Sequence, residues 1–330
     1  MDADALTDAR RSEWERLDEL SRQKLDGAGV DELIVRYRAA SADLAELKTS
    51  VGDSPQGAYV SLILARARLR LTGASDSILT QITRFFADQL PAAFYRLRWT
   101  TLVIALVFIA VVAGVAVWIS SDPALVAALG PADLLQQYAD ESFTGYYTEN
   151  PAAVFAGMVW TNNAWIAVQC VLFGVTGIWP IYVIVQNAFG VGVSAAVMAA
   201  HDRVDVFVLY ILPHGMLEMT SIFVAAAGGL HLFWAWVAPG HRTRAAALAE
   251  EGRALATVAI GLVFALFLSG LVEGFITGWS LPWPIKLGIG AAALAVFLVY
   301  MLVVGGRAYR RGERGDLLEH EAGTPRLVAG

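Results

Sequence analysis

Six apolar runs, each about as long as a ~30 Å hydrocarbon core requires, fix the class of fold before any other residue is considered. They are Trp99–Ile119, Ala152–Val175, Ile178–Ala200, Val206–Val237, Ala254–Thr277 and Ile285–Gly305. Backbone inside lipid has to satisfy its own hydrogen bonds, and a helix does so within one segment. The expected fold is therefore all-α: a polytopic membrane protein of six transmembrane helices with an N-terminal cytoplasmic helical domain. Composition agrees, since 57% of the 330 residues are hydrophobic and 16% charged. A formal net charge of −6 speaks against nucleic acid as a partner. The single cysteine, Cys170, excludes an intrachain disulfide and a thiolate metal cluster.

The first apolar run opens at Trp99, behind a long polar stretch, so no signal peptide is expected. The expected organisation is a helical head over 1–98, the spans over 99–305 with an acidic external segment at 120–150, and a basic tail over 306–330. In the head, Leu33, Tyr37, Ala40, Leu44 and Leu47 recur in steps of four and three, the stripe of an amphipathic helix. An earlier helix carries Trp14, Leu17 and Leu20 and ends near Gly27 and Gly29. A third carries Tyr59, Leu62, Ile63 and Leu69 and breaks near Gly73. Asp76–Leu90 reads either as a membrane-surface helix or as a fourth helix of the head.

Charge distribution orients the spans. Segment 120–150 holds Asp122, Asp133, Asp140, Glu141 and Glu149 and no Lys or Arg. Arg84, Arg96 and Arg98 precede the first span, Arg242, Arg244 and Arg253 follow the fourth, and Arg307, Arg310, Arg311 and Arg314 follow the last. The positive-inside rule then places both termini and the 238–253 loop in the cytoplasm and 120–150 outside. Trp234, Trp236, Trp279 and Trp283 sit where interfacial anchors are expected.

The fourth run contains a helix-breaking Pro213-x-Gly215, with His214 and Glu218 one turn apart. An ionisable group near a bilayer centre costs roughly 2.5–3.5 kcal/mol on insertion scales and normally has a partner or a task. Candidate partners lie on other spans: Asn162, Asn163 and Gln169 on the second, Gln186 and Asn187 on the third, and Glu273 on the fifth. Asn162, Asn163, Asn187, His214, Glu218 and Glu273 are read as one intramembrane polar centre, with Glu218 and Glu273 sharing a proton or pairing with His214. Asn162 and Asn163 are about 100° apart on a helix, so one can face inward while the other reaches a neighbour. Gly270, Gly274 and Gly278 recur every four residues around Glu273, a face suited to close helix packing or to self-association. Locking the bundle is the plain alternative role for all these polar groups. His201 and His231 read as a loop residue and an interior polar filler. No complete catalytic set, phosphate loop or serine elbow is found, and no cofactor or resident metal is expected.

The chain resembles the stage II sporulation protein M family of bacterial membrane proteins. The resemblance rests on Trp160-Thr-Asn-Asn163 with Gly174 and Gly177, Gln186-Asn187 with Gly190, Leu212-Pro-His-Gly-Met-Leu-Glu218, and Leu271-Val-Glu-Gly-Phe-Ile-Thr277. It departs at Asn187-Ala188, where relatives commonly carry Asn-Gly. What the resemblance implies is a non-enzymatic inner-membrane scaffold in a cell-envelope complex that remodels peptidoglycan. Its implied partners are membrane lipids, other envelope proteins and murein hydrolases. The alternative is a transporter or channel that uses the His/Glu/Asn centre.

Overall fold

The computed structural model describes residues 3–315 except 24, 53, 72–77, 148, 278 and 280, and every regular element among them is helical. Two compact units divide the chain, Met1–Thr83 and Arg84–Gly330.

In the first unit, α1 (Ala3–Arg22), α2 (Gly27–Val51) and α3 (Pro55–Leu71) close around one apolar core. Asp26 caps α2 by accepting the Gly29 N–H at 2.9 Å, satisfying a donor that the first helical turn leaves free. Trp14, Leu17 and Leu20 from α1 meet Leu33, Ala40 and Leu47 from α2, all buried, with Tyr37 and Leu44 at the margin. The buried Trp14 indole donates to Asp43 Oδ2 at 2.9 Å. On α3 the inward stripe is Val60, Ile63, Leu64 and Ala67, while Tyr59, Leu62 and Leu69 are exposed. That helix has apolar residues on more than one side, so periodicity alone does not select the face that packs. The expected break at Gly73 lies outside the described residues.

Charged side chains ring this core. Arg16 bridges Glu19 and Glu32, Arg36 bridges Glu32 and Glu13, and Asp18 takes Arg22 and Arg66. Hydrogen bonds from Arg16 and then Arg36 draw the Glu32 carboxyl down to about 2.

The second unit turns the pattern inside out. Here α4 (Ile78–Arg84), which begins in the first unit, runs through a π-helical turn, Phe85–Gln89, into α5 (Leu90–Ser120). The segment read as a membrane-surface helix leading into the first span, or as a fourth head helix, thus runs on into that span from Ile78, and its residues 76 and 77 lie outside the described residues. The Phe86 ring lies 5.8 Å from Phe264, and the Tyr300 hydroxyl donates to the Phe86 carbonyl. Then come α6 (Pro123–Leu129), α7 (Ala132–Gln137), a π-helical turn at Tyr138–Ser142, α8 (Phe143–Gly145) and α9 (Ala152–Leu172). After a tight turn in which Gly177 takes φ +68°, α10 (Ile178–Ala200) leads to α11 (Val204–Val237). The remainder is α12 (Arg244–Val272), α13 (Trp283–Val299) and α14 (Gly305–Arg310), the last two joined by a π-helical turn.

Among the described residues, five helices are long and apolar enough to cross a membrane: Gln81–Ser120, Ile178–Ala200, Val204–Val237, Arg244–Thr277 and Trp283–Arg310. The sixth expected span forms α9 but is not among the five, and it carries Asn162, Asn163 and Gln169. The first and last helices outrun their apolar stretches, because a helix can continue with polar residues once it leaves an apolar medium.

α11 is the hub, packed against α5, α9, α10, α12 and α13. Contrary to the expected break, it is continuous through Pro213 and Gly215, both buried. An internal proline removes one backbone hydrogen bond, and neighbouring helices can hold such a segment in place. Here α13 supplies Gly290 directly against the Pro213 carbonyl, where any Cβ would overlap it. Ser269 on α12 adds a hydroxyl bond, 3.1 Å, to the His214 carbonyl.

Contacts sort the loops to two ends of the bundle. Arg96 reaches Glu251 and the Arg314 carbonyl, Arg311 reaches Asp88, and Arg84 pairs with Glu313. At the other end Arg203 pairs with Asp140, Tyr138 donates to Ser194, and Tyr210 packs on Trp283.

Candidate functional site

Near the acidic end, α11 and α12 bring three ionisable side chains together in the interior. His214, Glu218 and Glu273 are 6%, 9% and 4% exposed, and each offers a ligand-capable atom within 4.8 Å of the others. His214 Nε2 lies 3.6 Å from Glu273 Oε1. The other ring nitrogen, Nδ1, is 3.4 Å from the Thr277 hydroxyl. Both contacts come from the π-helical turn Glu273–Thr277 that ends α12. Such widened turns are frequent at functional sites because they re-aim side chains off the α-helical period.

Glu273 and Asn163 of α9 lie beside Glu218. A carboxylate-to-carboxylate contact needs a cation or a proton between the two groups. The Oε2 atoms of both acids are buried and have no hydrogen-bond partner among the described residues. The Tyr147 ring closes one side, 5.8 Å from the His214 ring.

Of the six residues read as one polar centre, the structure therefore gathers Asn163, His214, Glu218 and Glu273. The other two lie elsewhere. Asn162 is exposed on α9 and donates to the Asn163 amide oxygen at 3.5 Å. The roughly 100° step between adjacent helical residues cannot turn both amides inward. Asn187 donates to the Val183 carbonyl one turn back on its own helix at 2.8 Å and is half-buried. The packing glycines have internal partners: a Cβ at Gly270 would lie 3.1 Å from the Ala156 carbonyl, and one at Gly274 2.6 Å from the Ala152 carbonyl. That face is taken up by α9 within the chain rather than left for a second copy. Gly278 lies outside the described residues.

Beside the triad, a cavity of about 640 Å³ opens between the Tyr138–Tyr147 segment and α10. Tyr138, Ser142, Tyr146, Gln186, Asn187 and Ser194 supply its polar lining, and Tyr147 forms the wall shared with the triad. Its rim is braced where Arg203 and Gln136 bind Asp140; the Gln136 bond first, then Arg203, holds that carboxyl below its ordinary range.

Several residues of this neighbourhood were not read from the sequence. Lys286 is buried, donates to the Thr277 carbonyl at 2.6 Å and sits 4.3 Å from the Trp283 ring. Trp283 is thus engaged with Lys286 and Tyr210, in addition to any anchoring, whereas Trp234, Trp236 and Trp279 stand exposed. A lysine at the second position of the last apolar run was the available signal. Thr277 entered only as the last residue of the Leu271–Thr277 piece, and Tyr147 and Tyr210 carried no signal. His231 bonds Thr100 at 2.9 Å and His201 caps back onto Val197.

The family model for Stage II sporulation protein M matches residues 102–278. The chain belongs to that family. The match takes in Asn163, His214, Glu218, Glu273 and Thr277 and most of the bundle, while Lys286 falls beyond it. Residues 4–73 match a second model, Domain of unknown function (DUF8413), so this family member carries its head as a separate module. No curated protein and no solved structure matches the chain.

Proposed function

We propose that this stage II sporulation protein M family member is a non-enzymatic scaffold of the bacterial cytoplasmic membrane, belonging to a complex that remodels the peptidoglycan envelope. The observation that carries the reading is the way the central helix is locked. α11 meets its neighbours through backbone, with Gly229 against Gly174 before α10 and Gly290 of α13 against Pro213. α9 and α12 interlock in the same way at Gly274. Alternating access needs one group of helices to rock against another, and backbone-to-backbone seams of this kind resist sliding.

In this reading α9 is the sixth span, both termini lie in the cytoplasm with the basic end of the bundle, and segment 120–150 faces outward. The apolar exterior contacts lipid. The cavity between the Tyr138–Tyr147 segment and α10 is the surface offered to envelope partners, murein hydrolases among them. Affinity purification from native membranes tests this. The expected result is a stable complex with envelope proteins that survives Glu273→Gln. A protein that purifies alone defeats it.

The buried triad is the specific observation favouring transport instead. Proton or solute flux in liposomes that Glu273→Gln abolishes would establish that second reading.

A further inference from the structure

We propose that His214, Glu218 and Glu273 bind a divalent transition-metal ion of the zinc type. The donor set is one imidazole and two carboxylates converging from two helices, with candidate ligand atoms all within 4.8 Å of one another. Around a tetrahedral zinc at about 2.0–2.1 Å, ligand atoms stand roughly 3.4 Å apart. The observed 3.6 Å between His214 Nε2 and Glu273 Oε1 is already close to that, and Glu218 offers its ligand atom within 4.8 Å of both.

Three observations independent of the spacing point to a cation. First, Oε2 of Glu218 and Oε2 of Glu273 are buried and have no hydrogen-bond partner among the described residues. A lone pair left bare in the interior costs free energy that a cation removes. Second, the free ring nitrogen of His214 is engaged by Thr277 Oγ1, leaving Nε2 toward the carboxylates. With Nδ1–H donating to that hydroxyl, Nε2 carries the lone pair a metal requires. Third, Asn163 contacts Glu218 from a third helix, as outer partners of ligating carboxylates do.

The donors also select the ion. Calcium calls for six to eight oxygen ligands, and magnesium keeps a largely hydrated octahedral shell. An imidazole with two carboxylates suits zinc, with the fourth position left to water or to a ligand. The site goes beyond the scaffold reading, and it neither requires nor excludes transport.

The test uses the full chain, purified in detergent through a tag without histidines, with metal content measured by mass spectrometry. About one zinc per chain is expected, or uptake of one upon dialysis against micromolar zinc. Cobalt exchanged into the site should give visible d–d absorption of a tetrahedral centre. Glu273→Gln and His214→Ala should each lower zinc affinity roughly tenfold or more, while Asn187→Ala, on the cavity wall, leaves it unchanged. Should a variant fail to fold, the wild-type melting temperature with and without chelator reads the same linkage: zinc should raise it. A wild-type chain that holds no metal after dialysis, and whose melting temperature ignores zinc, overturns the proposal in favour of a proton shared by the two acids. So does zinc retained by both ligand variants.

Discussion

The two units of this chain solve packing in opposite ways. In the head, bulk is buried and charge is displayed: Trp14 and the leucines of three amphipathic helices fill the centre, and Arg16, Glu32 and Arg36 pair outside. In the bundle, apolar side chains such as Leu102, Leu106 and Val107 face outward while His214, Glu218, Glu273 and Lys286 are buried. Water drives the first arrangement through the hydrophobic effect. Lipid offers no comparable drive between helices, so the second relies on small residues that let backbones meet and on internal polar contacts. Large residues fill the head; in the bundle, close glycine seams and internal polar contacts are added to a core that holds Phe94, Phe108, Phe223 and Phe297.

The sharpest way to break that contrast is to add bulk where the bundle has none. Gly290→Leu drives a side chain into the Pro213 carbonyl. Overpacking a core costs about 1–3 kcal/mol even where side chains can yield, and here the obstacle is backbone. The expected outcome is loss of a monodisperse, detergent-soluble chain by size exclusion. An unchanged profile would mean that α13 can move away from α11.

The complementary change removes bulk from the head. Trp14→Ala deletes a fully buried ring and its bond to Asp43 and is expected to cost the head about 3–5 kcal/mol. Limited proteolysis should then cut first within residues 1–83. Equal resistance in variant and wild type contradicts the assigned core.

The smallest effect concerns the head's charged surface. The Glu32 carboxyl is depressed from 4.5 to about 2, so its contribution is present above the unfolded value and is lost as pH falls through the folded one. Stability of the head should decline between about pH 5 and pH 2, and Glu32→Gln should flatten that decline. Because the pair is exposed, high salt should shrink the difference. A decline of equal slope in Glu32→Gln assigns it to other acids.

How far the sequence spoke differs between the two units for the same physical reason. Leu33, Ala40 and Leu47 could be read as core because water imposes a helical period on them. Inside the bundle no such period exists, so Asn162 and Asn163 looked alike although only Asn163 faces Glu218. Pro213 read as a break, because its effect depends on a glycine 77 positions later that closes against it. Gly270 and Gly274 stood out by their repeat, whereas Gly229 and Gly290 have no comparable repeat to mark them. Of the buried site, the three charged members were visible as anomalies. Thr277 and Tyr147, which fix the His214 ring, were ordinary residues until the fold placed them.

Lys286 ties α13 to α11 and to the end of α12. Its ammonium is buried at the start of α13 and is satisfied by the Thr277 carbonyl and by the Trp283 and Tyr210 rings. Thr277 and Tyr210 both leave the ribosome before Lys286 does. Two of the groups that make the lysine tolerable therefore precede it in synthesis, Tyr210 on α11 and Thr277 after α12, while the third, Trp283, is carried by α13 itself.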